Sequence, residues 1–140
     1  MAHQDDRWGS LGDTLGRVGD RWSLLVVAAL LQRGRRFNEL LEAVPGIAPN
    51  ILSQRLKHLE REGVVVAHPY VRRPPRFSYE LTAAGRELAG ALRLLAGWGS
   101  GHSAAAPLHD ACGTALEARW YCPTCARLVD DDEPADLHYA

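Results

Sequence analysis

Between Gly46 and Thr82 the chain reads GIAPNILSQRLKHLEREGVVVAHPYVRRPPRFSYELT, and no other stretch restricts the fold as strongly. Leu52, Leu56 and Leu59 recur at helical spacing and make one apolar stripe with Ile51 beside it. Asn50, Ser53, Gln54, Lys57 and His58 fall on the opposite face. Pro49 suits a first helical turn, where its missing N–H costs nothing, and Gly63 can take the left-handed conformation that stops a helix. Val64, Val65 and Val66 then switch the preference to strand, and Phe77, Tyr79 and Leu81 alternate with Arg76, Ser78 and Glu80. Pro74 and Pro75 are expected to end the ladder pairing and stiffen a tip that carries Arg72 and Arg73. A helix with one buried stripe, then an arginine-tipped hairpin, is the element order of a winged helix-turn-helix.

The flanking sequence supplies the rest of such a fold. Ser23 to Leu31 is apolar nearly all round, which predicts a central buried helix. Arg35-Arg36-Phe37-Asn38-Glu39-Leu40-Leu41 is expected to start a short helix with Phe37, Leu40, Leu41 and Val44 on one face, ending at Pro45-Gly46. Thr82 can cap a helix running to about Trp98, with Leu88, Leu92 and Leu95 as its stripe. That stripe exceeds what a small domain buries alone, so helix 82–98 is the candidate homodimer surface, together with the residues around Leu11 and Leu15. The expected fold class is mainly α with a small β wing, followed by a short zinc-ribbon-like segment. The expected organisation is a DNA-binding and dimerisation domain over 1–98, a linker over 99–108, and the zinc-ribbon-like segment with an acidic tail over 109–140.

Each surface of the helix and hairpin has its own chemistry. Asn50, Ser53 and Gln54 are short or amide side chains at the amino-terminal end of the helix, and amides can bond bidentately to adenine edges in the major groove. Lys57 with Arg72, Arg73 and Arg76 would neutralise phosphates, which dominate non-specific affinity. Arg55 and Arg36 join this set, although the stripe geometry turns Arg55 partly toward the core edge. Either feature alone has a plainer explanation, since a polar helix face is usually just solvated and basic turns are common. The DNA reading rests on their occurring together and in order.

Net charge hides an asymmetry. The chain has 16 Lys and Arg against 17 Asp and Glu, a formal −1, yet residues 1–100 hold 14 against 10 and residues 101–140 hold 2 against 7. The charge relevant to a polyanion is the local charge on wing and helix. The run Asp130-Asp131-Asp132-Glu133 reads as a solvated tail. No signal peptide is visible and Ser23 to Leu31 is too short for a membrane span, so a cytoplasmic protein is expected.

Residues of about 11 to 99 resemble the HxlR-type family of winged helix-turn-helix transcriptional regulators. The landmarks are Gly19-Asp20-Arg21-Trp22-Ser23-Leu24-Leu25, Arg36-Phe37-Asn38-Glu39-Leu40, Pro45-Gly46-Ile47 and Leu52-Ser53-Gln54-Arg55-Leu56. They continue through Leu59-Glu60-Arg61-Glu62-Gly63-Val64-Val65, the wing Pro75 to Thr82, and Gly85. The resemblance implies a homodimeric bacterial repressor or activator on an inverted repeat of double-stranded DNA, with half-sites about one helical turn apart. Two departures stand out. Members that sense oxidants resemble one another in a cysteine shortly before the first helix, where this chain reads Arg7-Trp8-Gly9-Ser10-Leu11, which excludes redox sensing at that position. Ala48 stands where the family often has a hydroxyl cap, which should weaken the helix start by roughly 1 kcal/mol.

All three cysteines follow the linker-like stretch Gly99 to Pro107, as His109-x2-Cys112-x9-Cys122-x2-Cys125. Two short ligand pairs, each closing a tight turn, suit a tetrahedral zinc site. Gly113 fits such a turn, and Ala126 at the equivalent place is a less ideal residue. His102 and His138 are alternatives to His109 as fourth ligand. Four protein ligands would leave no place for water, so the zinc would be structural. The competing readings are a redox dithiol at Cys122 and Cys125, or an inert segment. No Ser-His-Asp set, phosphate-cradling loop or carboxylate pair points to an enzyme. A protein-interaction module and a metal-responsive switch are the alternatives to a regulator, and no pattern identifies a small-molecule effector.

Overall fold

The computed structural model describes residues 8–101 and 107–129; His102, His138, the acidic run 130–133 and much of the linker lie outside them. Two units divide the chain, Leu11–Leu92 and the residues flanking it. The first is organised by the leucine stripe. Helix α4 (Pro49–Arg61) buries Leu52, Leu56 and Leu59 to 1% exposure or less, against Val26, Val27, Ala29 and Leu30 of α2 (Arg21–Gln32) and Leu40 of α3 (Phe37–Ala43). Burial on this scale stabilises by about 1.5–3 kcal/mol per leucine. Val18 at the end of α1 (Gly9–Val18), with Val44, Ile47, Val64, Val65 and Leu81, completes the core.

Both ends of α4 follow from the residues there. Ala48 is the N-cap with no side-chain bond, as expected, and Pro49 occupies the first turn. Gly63 sits at φ +72°, letting its N–H reach the Glu60 carbonyl at 3.1 Å and Val64 N–H reach Leu59 at 2.9 Å. Gly46, at φ +86°, makes the turn between α3 and α4.

The wing is the antiparallel hairpin β2 (Val65–Arg72) and β3 (Pro75–Leu81), joined by β1 (Arg35–Arg36) in the order β1-β3-β2. Three expectations need correction here. Arg35 and Arg36 form a strand rather than a helical turn, because they pair with Tyr79 and Ser78; the helix begins at Phe37. The two prolines do not stop the ladder before the tip: Pro75 opens β3 opposite Arg72, at the first position of a strand, where its missing N–H is tolerated. The helix expected over 82–98 is two helices, α5 (Ala83–Arg86) and α6 (Ala89–Gly99). Thr82 caps the first by accepting from Gly85 N–H at 3.0 Å, but Leu88 N–H then bonds the Gly85 carbonyl at 3.3 Å, a tighter turn that breaks the α-helical ladder. Leu88 and Leu92 pack on the core while Leu95 stays exposed.

In the second unit, β4 (Trp120–Cys122) pairs with β5 (Arg127–Val129), and Leu108 bridges Ala115. None of the residues 107–129 is buried. Among the described residues no helix is long and apolar enough to cross a membrane.

Gly85 is a landmark with a steric cause. A Cβ there would collide with the Val64 carbonyl oxygen, which already accepts from Thr82 N–H at 3.0 Å and so cannot swing away. Gly85→Ala should therefore lower stability by about 1–3 kcal/mol in urea unfolding. Gly90→Ala, with nothing within 4 Å of its added methyl, should be neutral or stabilise by up to about 1 kcal/mol. Equal effects would refute the packing account.

Candidate nucleic-acid interface

Because the leucine stripe faces α2 and α3, the opposite side of α4 faces solvent. Asn50, Gln54 and Lys57 are exposed there and Ser53 is half-buried, all on one helical face. Arg72, Arg73 and Arg76 are exposed on the wing. Among the described residues none of Asn50, Gln54, Lys57, Arg72, Arg73 or Arg76 has a side-chain hydrogen bond or ion pair, so their donors are open to an incoming ligand. Arg36 is also exposed, with its guanidinium 4.3 Å over the Tyr70 ring. This stacking spans an open groove of about 620 Å³ between α3 and the wing, lined by Arg36, Asn38, Glu39, Tyr70, Arg76 and Phe77 among others. Tyr70 escaped the sequence reading, since its partner lies on a different element and no spacing rule connects them.

Arg55 stands apart from the expected set. Its guanidinium pairs with Asp20 at 3.3 Å, and Asp20 also caps α2 by accepting from Ser23 N–H at 3.0 Å. Arg55 therefore fastens α4 to the start of α2. His58 behaves similarly: its Nε2 donates to the Arg17 carbonyl at 2.6 Å, while Arg17 pairs with Glu62 at 2.6 Å. Two ties from the flanks of α4 thus fix its rotation about its own axis.

These ties shift acidities. Partial burial pushes the Asp20 carboxyl up, but the hydrogen bonds from Ser23 and the Arg55 charge outweigh it and hold the group below its usual range. Glu39 is lowered by the Arg36 backbone N–H and by Arg33, and Glu62 by Arg17.

The proposed metal ligands occur as two pairs. His109 Nδ1 lies 3.3 Å from Cys112 Sγ, which also meets Thr114 Oγ1 at 3.3 Å, and Cys125 N–H donates to Cys122 Sγ at 3.5 Å. Within each pair the two residues are neighbours; across the pairs, no three His, Cys, Asp or Glu side chains gather into a metal-holding group among the described residues. None of the three cysteines is joined in a disulfide.

A carboxylate whose folded pKa lies below its unfolded one contributes stability that is present above the unfolded value, about 4, and is lost as pH falls through the folded value. Stability should therefore decline on the acid side, and less steeply in Asp20→Asn, which cannot titrate. Since Asn also caps helices, Asp20→Asn at neutral pH should cost only the ion pair, about 0.2–1 kcal/mol. Asp20→Ala should cost about 0.5–2 kcal/mol more through the lost cap. Urea unfolding at neutral and acidic pH separates the two contributions, and identical curves for both variants would refute the dual role.

Comparison with known proteins matches residues 17–106 to the model of the HxlR-like helix-turn-helix family. An uncharacterised HTH-type transcriptional regulator of Bacillus subtilis, YtcD, is 36% identical over 93 residues, 66% of this chain and 74% of its own length. The uncharacterised HTH-type regulator Rv3095 of Mycobacterium tuberculosis is 35% identical over 126 residues, covering 86% of this chain and 79% of its own. A match of that length cannot fit before residue 107, so it runs into the segment that holds the cysteines. The crystal structure of YtcD superposes with a TM-score of 0.61 at 35% identity, over 66% of this chain and 94% of its own. The reduced form of the redox regulator HypR gives 0.61 at 29% identity, over 66% and 91%. The family is one of transcriptional regulators and not of enzymes. With its fold, its landmarks and these relatives in agreement, the chain belongs to the HxlR-like helix-turn-helix family of transcriptional regulators.

Proposed function

We propose that this protein is a cytoplasmic homodimer that represses transcription by occupying an inverted-repeat operator. The observation that carries the reading is the uncommitted polar face of α4 beside a wing whose three arginines have no protein partner among the described residues. In this reading α4 enters the major groove, where Asn50, Ser53 and Gln54 meet base edges. Lys57, Arg72, Arg73 and Arg76 meet phosphates, and Arg36, stacked on Tyr70, meets the backbone beside the wing. Arg55 acts indirectly, by holding α4 through Asp20.

Dimerisation is supported by apolar surface left uncovered in the single chain. Helix α6 buries no residue, and Leu94, Leu95 and Trp98 are exposed by 51, 57 and 77%. On α1, Leu11 and Leu15 are exposed by 45 and 54%. A second copy covering these faces would repeat the DNA-reading helix across a two-fold axis, as an inverted repeat requires.

Fluorescence anisotropy on duplexes from the chain's own upstream DNA and on random duplexes, at two salt concentrations, tests the reading. Gln54→Ala should change sequence preference, by about 1–3 kcal/mol at the base it meets. Arg73→Ala should weaken all duplexes alike and reduce the salt slope by about 1. Uniform weakening by both variants would remove Gln54 from the base readers, and salt-insensitive binding would count against phosphate contact altogether. In sedimentation experiments Leu95→Asp with Trp98→Asp should yield a folded monomer that no longer binds the operator; a persisting dimer would exclude α6 as the dimer surface.

A further inference from the structure

The segment 107–129 is unaccounted for by DNA binding, and its two cysteine-bearing turns have the same construction. In His109-Asp110-Ala111-Cys112-Gly113 and in Cys122-Pro123-Thr124-Cys125-Ala126, two potential ligands are separated by two residues and followed by a residue with positive φ. Gly113 lies at +68° and Ala126 at +53°. For glycine that is ordinary, but for alanine it is a conformation held only where something over-determines it, and among the described residues Ala126 is the non-glycine residue in which this is seen. Each turn closes a small antiparallel pairing, Leu108 with Ala115 in the first and Cys122 with Arg127 in the second. In each, one ligand of the pair is within hydrogen-bonding reach of its neighbour: His109 Nδ1 at 3.3 Å from Cys112 Sγ, and Cys125 N–H at 3.5 Å from Cys122 Sγ.

We infer that His109, Cys112, Cys122 and Cys125 together bind one structural zinc ion within a single chain, and that ligation draws the two turns onto a common tetrahedral site. Three thiolates and an imidazole are a zinc donor set, and with all four positions filled by protein the ion has no place for substrate or water. The segment also lacks a hydrophobic core. No residue of 107–129 is buried, Leu108, Trp120, Tyr121 and Leu128 are each more than half exposed, and a two-stranded hairpin alone is marginal in water. Segments this small hold a fold through a metal or cross-links, and three cysteines cannot all pair as disulfides within one chain. Ligation would join what are now two separate pairs.

The test uses the full-length chain purified under reducing conditions. Elemental analysis should find one zinc per chain after dialysis, and cobalt exchange should give the visible bands of a tetrahedral thiolate site. Cys112→Ser, Cys125→Ser and His109→Ala should each abolish the cobalt spectrum at the same metal concentration. His102→Ala and His138→Ala should leave it intact, and loss in either of these instead of His109→Ala would overturn the ligand assignment. In the wild type all three thiols should resist alkylation until a chelator is added; this readout needs no variant and decides the matter if the variants fold poorly. Absence of both retained zinc and a cobalt spectrum would overturn the proposal. So would metal binding that survives His109→Ala and Cys112→Ser, leaving Cys122 and Cys125 as a dithiol, and so would one ion per two chains.

Discussion

Everything in the Leu11–Leu92 unit depends on how Leu52, Leu56 and Leu59 are buried. Once these three side chains are packed against α2 and α3, the rotation of α4 is settled to within a fraction of a turn, and its remaining residues must face solvent or the edge of the core. Two ion-paired ties refine that setting, from Arg55 to Asp20 on one flank and from His58 and Glu62 to Arg17 on the other. Each is worth little alone at the surface. Their value is positional, since a helix rotated by one residue would present different side chains to solvent.

The same ties explain how a chain with a formal charge of −1 can offer a basic surface. Asp20, Glu39 and Glu62 are each engaged by scaffold arginines, Arg55, Arg33 and Arg17. These three acidic groups therefore neutralise cations that hold the fold together. Lys57 and the wing arginines are left without acidic partners among the described residues. The local field at wing and helix is set by this division of labour, and the total charge says little about it.

The two units contrast in what stabilises them. The first has a contiguous apolar core of fourteen buried side chains drawn from α1, α2, α3, α4, the wing and the connections between them. The second has strands of three residues, no buried residue among 107–129, and its polar chemistry concentrated at two turns. Hydrophobic burial can specify the first, whereas the second has too little buried surface to be specified that way.

Periodicity and turn chemistry determined a good deal by themselves: the existence of α4, its Pro49 and Gly63 ends, the hairpin after it, the Thr82 cap and the outward amides were all legible, because each depends on residues within one or two helical turns of one another. Tertiary structure decided the rest. Arg35 and Arg36 became a strand because Tyr79 and Ser78, over forty residues away, offer a ladder edge. Helix 82–98 broke after Arg86, where Gly85 is pressed against the Val64 carbonyl and Leu88 is drawn into the core. Arg55, expected among the phosphate contacts, is tied to Asp20, and Arg36 acquired Tyr70 as its platform. In each case the deciding partner is distant along the chain, and no local pattern encodes a contact that exists only after the core has closed.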